Sequence, residues 1–127
     1  MATIRWLASF ANALKGIRVV FKEERNFRIQ VAAATLILIL MNIFPLSTIE
    51  KCILILLISV VLILELGNSI LERLADVFKP RVHTYIKDVK DIGAGMVFLS
   101  SVGALLIGVI IFSPHLFILI KKFFSVD

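Results

Sequence analysis

Apolar residues fill three long blocks of the chain, and the polar residues between them cluster in a few places. The first block runs from Ile29 to about Ile49, the second from Cys52 to about Leu71, and the third from Ile92 to about Ile120. About 20 apolar residues in helical conformation cross the hydrocarbon of a bilayer, so each block predicts a membrane span. The first two are separated only around Ser47 to Lys51, which predicts a tight helical hairpin. "RLADVFKPRVHTYIKDVKD" joins the second to the third, and there charge gathers and Pro80 interrupts the helix. With their flanks, the predicted helices cover 29–49, 52–78 and 88–120.

Residues 1–27 follow a different pattern. Leu7, Phe10, Leu14, Ile17 and Phe21 recur at spacings of three and four, with Lys15, Arg18, Lys22 and Arg25 as a basic stripe beside them. Such a helix lies on a membrane surface, apolar face down and cations near anionic headgroups. Trp6 suits an interfacial anchor. A signal peptide is disfavoured, because Asn12 and Lys15 break the apolar patch and no cleavage site precedes the charged run. The expected fold class is an all-α membrane protein, a single domain over 1–127 with an N-terminal amphipathic surface helix and three transmembrane helices.

Composition sharpens this. At 60% hydrophobic and a mean hydropathy of +1.02, the chain is too apolar for a soluble domain of its size. Its net charge of +5 comes from 14 Lys and Arg against 9 Asp and Glu. Most of these cations precede the first span or lie between the second and third; only Lys51, Lys121 and Lys122 fall on the other side. The positive-inside rule then puts the N-terminus and the second connection on the cytoplasmic side and the C-terminus outside. The charge reads as topology and lipid contact, with no motif for nucleic acid. Cys52, the single cysteine, forms no internal disulfide and is expected to be a buried filler.

The chemistry concentrates in "ILELGNSILERLAD", residues 63–76. Glu65, Asn68, Ser69, Glu72 and Asp76 lie at offsets of three, four, seven and eleven, which puts them on one helix face. That ribbon extends ~16 Å along the axis, from the membrane surface at Asp76 to Glu65 within the bilayer. An acidic side chain there costs on the order of 2.5–3.5 kcal/mol and faces protein or water, so it is a functional candidate. No Lys or Arg lies one turn from Glu65, whereas Asp76 alone fits a solvated helix end equally well. Carboxylates at a water boundary suit a hard cation, and Mg²⁺ commonly takes one or two of them plus substrate phosphates. Glu24, in "KEERNFR", is a candidate second oxygen ligand opposite Glu72. Lys90 and Asp91 open the third block, where a cation can meet phosphate and Gly93, Ala94 and Gly95 let helices approach closely. These are parts of a phosphoryl-transfer site. The chain has neither GxxxxGK[ST] nor the protein-kinase signatures, which excludes the familiar nucleotide folds.

Taken together, these segments resemble the small integral-membrane lipid kinases of bacteria, the diacylglycerol and undecaprenol kinases. "ELGNSILE" looks like that family's E-x-x-N-[ST]-x-x-E motif; Ala75–Asp76, Lys90–Asp91 and "ERNFRI" (24–29) resemble its flanking segments. Gly67 and Leu71 depart from its usual aliphatics, without removing a chemical group. The resemblance implies a homotrimer with sites shared between neighbouring subunits, Glu65 as general base, and Glu24 and Glu72 as ligands of a Mg²⁺ that bridges to ATP. It implies that Asn68 and Asp76 support the site and that Arg5, Arg81, Val82, His83, Lys90 and Asp91 contact nucleotide. Lipid contact is expected of Lys15, Arg18, Arg28, Lys51, Glu65 and Ala94. "ERNFRI" and "IGVIIF" are more similar to the undecaprenol kinases than to the diacylglycerol kinases, so undecaprenol is the favoured lipid alcohol. His115 is expected to be an interfacial residue.

The rival from another class is a small proton-coupled multidrug exporter, which would use an intramembrane glutamate. It has no need of Glu72, Asp76, Lys90 and Asp91 at the water boundary, nor of a basic helix ending in Glu24. A purely structural adaptor leaves Glu65 unexplained.

Overall fold

The computed structural model describes residues 2–78 and 83–124. They form four helices: α1 (Ala2–Glu23), α2 (Arg25–Ile43), α3 (Thr48–Phe78) and α4 (His83–Phe124). The last three are long and apolar enough to cross a membrane. At 31 residues, α3 is ~46 Å long, well beyond the ~30 Å of bilayer hydrocarbon, so part of it must project out of the apolar layer. α4 has 42 residues and does the same. Both reach into the stretch that the charge pattern marks as a connection. "RLADVF" has no glycine or proline to stop α3, so helix continues to Phe78, and α4 resumes at His83, seven residues before Lys90.

α1 and α2 meet at a corner made by Glu24, whose backbone is extended at φ −97°, ψ 115°. Val20 and Phe27 are buried at this corner, and the Phe21 and Phe27 rings meet edge to face at 6.5 Å. Arg28 caps the end of α1, its guanidinium donating to the carbonyls of Phe21 at 3.2 Å and Lys22 at 2.9 Å. Those carbonyls have no partner within the helix, and a cation near a helix C-terminus is favoured. Leu7, Phe10, Leu14 and Ile17 all stand exposed along α1, as a face turned to lipid would.

At the far end, Phe44–Ser47 turns α2 into α3. Ser47 and Glu50 form a reciprocal cap: the Ser47 backbone N–H and hydroxyl donate to Glu50 Oε2 at 2.7 and 2.8 Å, and the Glu50 N–H donates to Ser47 Oγ at 3.3 Å. The other Glu50 oxygen meets His115 Nε2 at 3.2 Å, which ties α4 to the hairpin. Beneath lies the apolar cluster of Met41, Leu46, Leu54 and Ile111, with Phe44 against Phe112 at 5.5 Å. Pro114 stands inside α4. It has no N–H to offer the Ile110 carbonyl, and the Ser113 hydroxyl donates there instead at 3.2 Å. Cys52 is exposed rather than buried. Leu54 sets the inner face at this level, and a residue two positions earlier is rotated about 200° away from it.

α4 packs along α3 over much of its length, while α2 covers α3 on another side and the backbones of α2 and α4 do not meet. Between them runs an apolar groove of about 610 Å³, floored by α3 residues such as Leu57 and Val61 and walled by Gln30, Ala33, Ala104 and Phe112. Because the Ser47–Glu50 cap opens α3, replacing Ser47 with Ala should lower the apparent melting temperature in detergent by about 2–5 °C. A thermal melt checks this, and the paired cap and His115 contact should make the loss larger than that of Thr48→Ala.

Candidate active site

The inner face of α3 carries the acidic ribbon into the interior. Glu65 and Asn68 are buried, 3% and 8% exposed, and Ser69 is fully buried at 2%. Glu72 is half-buried and Asp76 exposed. The gradient follows the helix from the apolar layer toward water.

Glu65 meets Gln30 of α2, whose Nε2 donates to its Oε2 at 3.1 Å. The sequence reading does not single out Gln30; the available signal is an amide near the start of an apolar span, where a polar group implies a partner. Gln30 Oε1 is buried and receives no hydrogen bond among the described residues. A carboxylate is an acceptor only, so the amide must turn its NH₂ to Glu65 and its oxygen away.

Glu24 arrives from the other direction. Its extended backbone breaks the α1–α2 path, and its Oε1 accepts from the Ser69 hydroxyl at 3.2 Å. Arg73 locks this joint. One guanidinium nitrogen donates to Ser69 Oγ at 3.0 Å; the other pairs with Glu23 at 2.9 Å and lies 3.8 Å from Glu24. Glu23 and Arg73 are also absent from the sequence-based candidates. They are 50 residues apart, and no local pattern announces such a pair.

One turn toward water, Asn68 Nδ2 donates to Glu72 Oε1 at 3.1 Å. Glu24 and Glu72 both lie close enough to Glu65 to act on its charge, so three carboxylates share a small region. Arg73 offsets part of the charge at Glu24, while Glu72 has no ion-pair partner among the described residues. One turn further, Lys90 Nζ pairs with Asp76 Oδ1 at 3.2 Å, joining α4 to the end of the ribbon.

The donors suit a divalent cation of limited protein ligation. Among the described residues no group of three or more His, Cys, Asp or Glu is arranged to hold a metal. Glu24 and Glu72 nevertheless supply hard oxygens beside excess negative charge, which fits an ion completing its shell with phosphate and water. Glu65 is more buried than these two and is held by Gln30, which itself walls part of the apolar groove.

The remaining candidates are dispersed. Arg5, Lys15 and Arg18 stand exposed on α1, and Asp91 and Ala94 on α4. Arg28 is occupied in capping α1. Lys51 lies on the first turn of α3, ~21 Å along the axis from Glu65, so one chain does not bring them together. Arg81 and Val82 lie outside the described residues, as does the His83 side chain.

Comparison with known proteins identifies the family. Residues 11–112, most of the chain, match the family model described as prokaryotic diacylglycerol kinase. An undecaprenol kinase of Bacillus subtilis is 38% identical over 112 residues, covering 88% of this chain and 91% of that protein. A diacylglycerol kinase of Synechocystis is 32% identical over 111 residues, 87% of this chain and 63% of the longer relative. With three membrane-length helices and an acidic ribbon on the second, the chain belongs to the prokaryotic diacylglycerol kinase family and is a membrane lipid kinase.

Proposed function

We propose that the protein transfers the γ-phosphate of Mg-ATP to the hydroxyl of a membrane lipid alcohol, with undecaprenol favoured over diacylglycerol. The observation that carries this reading is the ribbon itself: a base at bilayer depth, continuous with Glu72 near water and met there by Glu24 from the α1–α2 corner. The undecaprenol kinase of Bacillus subtilis, similar over nearly its whole length, supports the choice of lipid.

In this mechanism Glu65 accepts the hydroxyl proton as the lipid oxygen bonds to the γ-phosphorus, while the bond from that phosphorus to ADP breaks and ADP leaves with the electron pair. Gln30 holds Glu65 in place through its Oε2 and keeps the other oxygen available to substrate. Glu24 and Glu72 are the residues that would hold Mg²⁺, which would supply charge neutralisation on the phosphates. Asn68 orients Glu72, while Ser69 and Arg73 orient Glu24. Lys90 exchanges its Asp76 contact for phosphate when nucleotide arrives.

Topology makes the reaction possible. Nucleotide approaches the protruding ends of α3 and α4 from water, and lipid reaches Glu65 laterally through the bilayer. The cation distribution supports a topology with that watery end on the cytoplasmic side of a bacterial inner membrane. The unpartnered faces of all four helices and the dispersed nucleotide-contact candidates accord with a homotrimer in which a neighbouring subunit completes the site.

The direct test is transfer of labelled γ-phosphate from Mg-ATP by purified protein in mixed micelles, offered undecaprenol and diacylglycerol in parallel. Faster labelling of undecaprenol is expected, with Glu65→Gln at least 100-fold slower, the usual scale for a missing general base. Labelling of neither lipid by folded protein contradicts the proposal. Gln30→Leu should lower kcat about tenfold, the effect of one hydrogen bond to a charged group, with KM for ATP unchanged. Steady-state kinetics varying each substrate in turn reads both parameters.

A further inference from the structure

Glycine is required at position 93, on the face of α4 that meets the ribbon. Gly93 is buried, and a Cβ built on it would lie 2.5 Å from Asn68 Oδ1 and 3.3 Å from Leu71 Cδ1. No real side chain occupies such a space. Gly16, Gly67, Gly95, Gly103 and Gly108 each have open space where their own Cβ would stand, so the close approach belongs to Gly93 in particular.

The atom it meets has a second peculiarity. Asn68 Oδ1 is buried and receives no conventional hydrogen bond among the described residues. The orientation of the amide is nevertheless determined: the Glu72 carboxylate only accepts, so the Asn68 NH₂ must face it and the oxygen must face α4. In place of a side chain, Gly93 has only hydrogen on the side that faces that oxygen. A bulkier residue would crowd the oxygen out of its position.

We propose that Gly93 is a positioning residue for cation and nucleotide binding: it leaves the Asn68 amide the one pose in which Nδ2 holds Glu72. The inference rests on the reading of Glu72 as a cation ligand. It assigns to α4 a role in shaping the site besides that of Lys90 and Asp91. Any side chain at 93 turns the Asn68 amide away, and Glu72 loses its only hydrogen-bond donor among the described residues. The displaced atom is the end of a flexible side chain, so the fold tolerates the change while the site does not.

The experiment is a double-mutant cycle on binding of Mg²⁺ with a non-hydrolysable ATP analogue to the full chain in detergent, with thermal melting measured alongside. Gly93→Ala should weaken binding about tenfold, the scale of one hydrogen bond to a carboxylate, with little change in melting. Asn68→Ala should weaken it similarly, and the double variant should be no worse than Asn68→Ala alone, because the displaced group is already gone. Losses that multiply in the double variant, or Gly93→Ala binding like the parent, overturn the inference. Gly93→Ser provides a second steric test: binding as tight as the parent's would also overturn it. If the parent protein itself binds no Mg-nucleotide, the cation-site reading fails, and this inference with it; parental binding with multiplicative losses sinks the inference alone.

Discussion

A carboxylate in the apolar layer is the constraint around which the rest of the chain is arranged. Glu65 is almost wholly removed from solvent, and a group of that kind must be held by protein or neutralised. Gln30 reaches it from α2, which requires α2 to lie beside α3 in one register. The α1–α2 corner at Glu24 and the cap that Arg28 places on α1 are part of that placement. At the opposite end, the Ser47–Glu50 cap and His115 hold the helices together with a small apolar cluster. The molecule is thus fastened at both ends, and the groove between α2 and α4 is left unfilled.

Polarity along α3 follows the gradient from lipid to water. Glu65, Asn68 and Ser69 are each engaged by a neighbouring side chain, and Asp76, where water returns, pairs across to α4. In the reading proposed above, this gradient is what a lipid kinase requires. Its two substrates come from phases that do not mix, and one helix presents acceptors to both. The two amides do related work: each gives its NH₂ to a carboxylate and has no conventional donor to its carbonyl oxygen among the described residues.

The parts of this arrangement legible in the sequence are those that depend on periodicity. Three apolar blocks predict three spans, and the spacing of Glu65, Asn68, Ser69, Glu72 and Asp76 predicts their common face, because both follow from 3.6 residues per turn. Helix ends are less legible. Charge in "RLADVF" suggests a connection, yet nothing there stops a helix, and α3 continues through it. The S-x-x-E pattern at Ser47–Glu50 is a local signal that a reading for caps would find. Gln30 with Glu65, Arg73 with Glu23, and Gly93 with Asn68 are contacts between distant segments, and they exist only once the helices are packed. Cys52 shows the same limit, since apolar neighbours do not tell which side of a helix faces inward.

The proposed function divides labour by depth: Glu65 moves a proton, and the shallower Glu72 binds the cation together with Glu24 from the α1–α2 corner. Binding of Mg²⁺ with a non-hydrolysable ATP analogue to Glu65→Gln and Glu72→Gln tests it most directly. Near-parental affinity is expected for Glu65→Gln, which keeps the shape and loses only the base, and at least a tenfold loss for Glu72→Gln. Equal losses in the two variants, or a larger loss at Glu65, would contradict it.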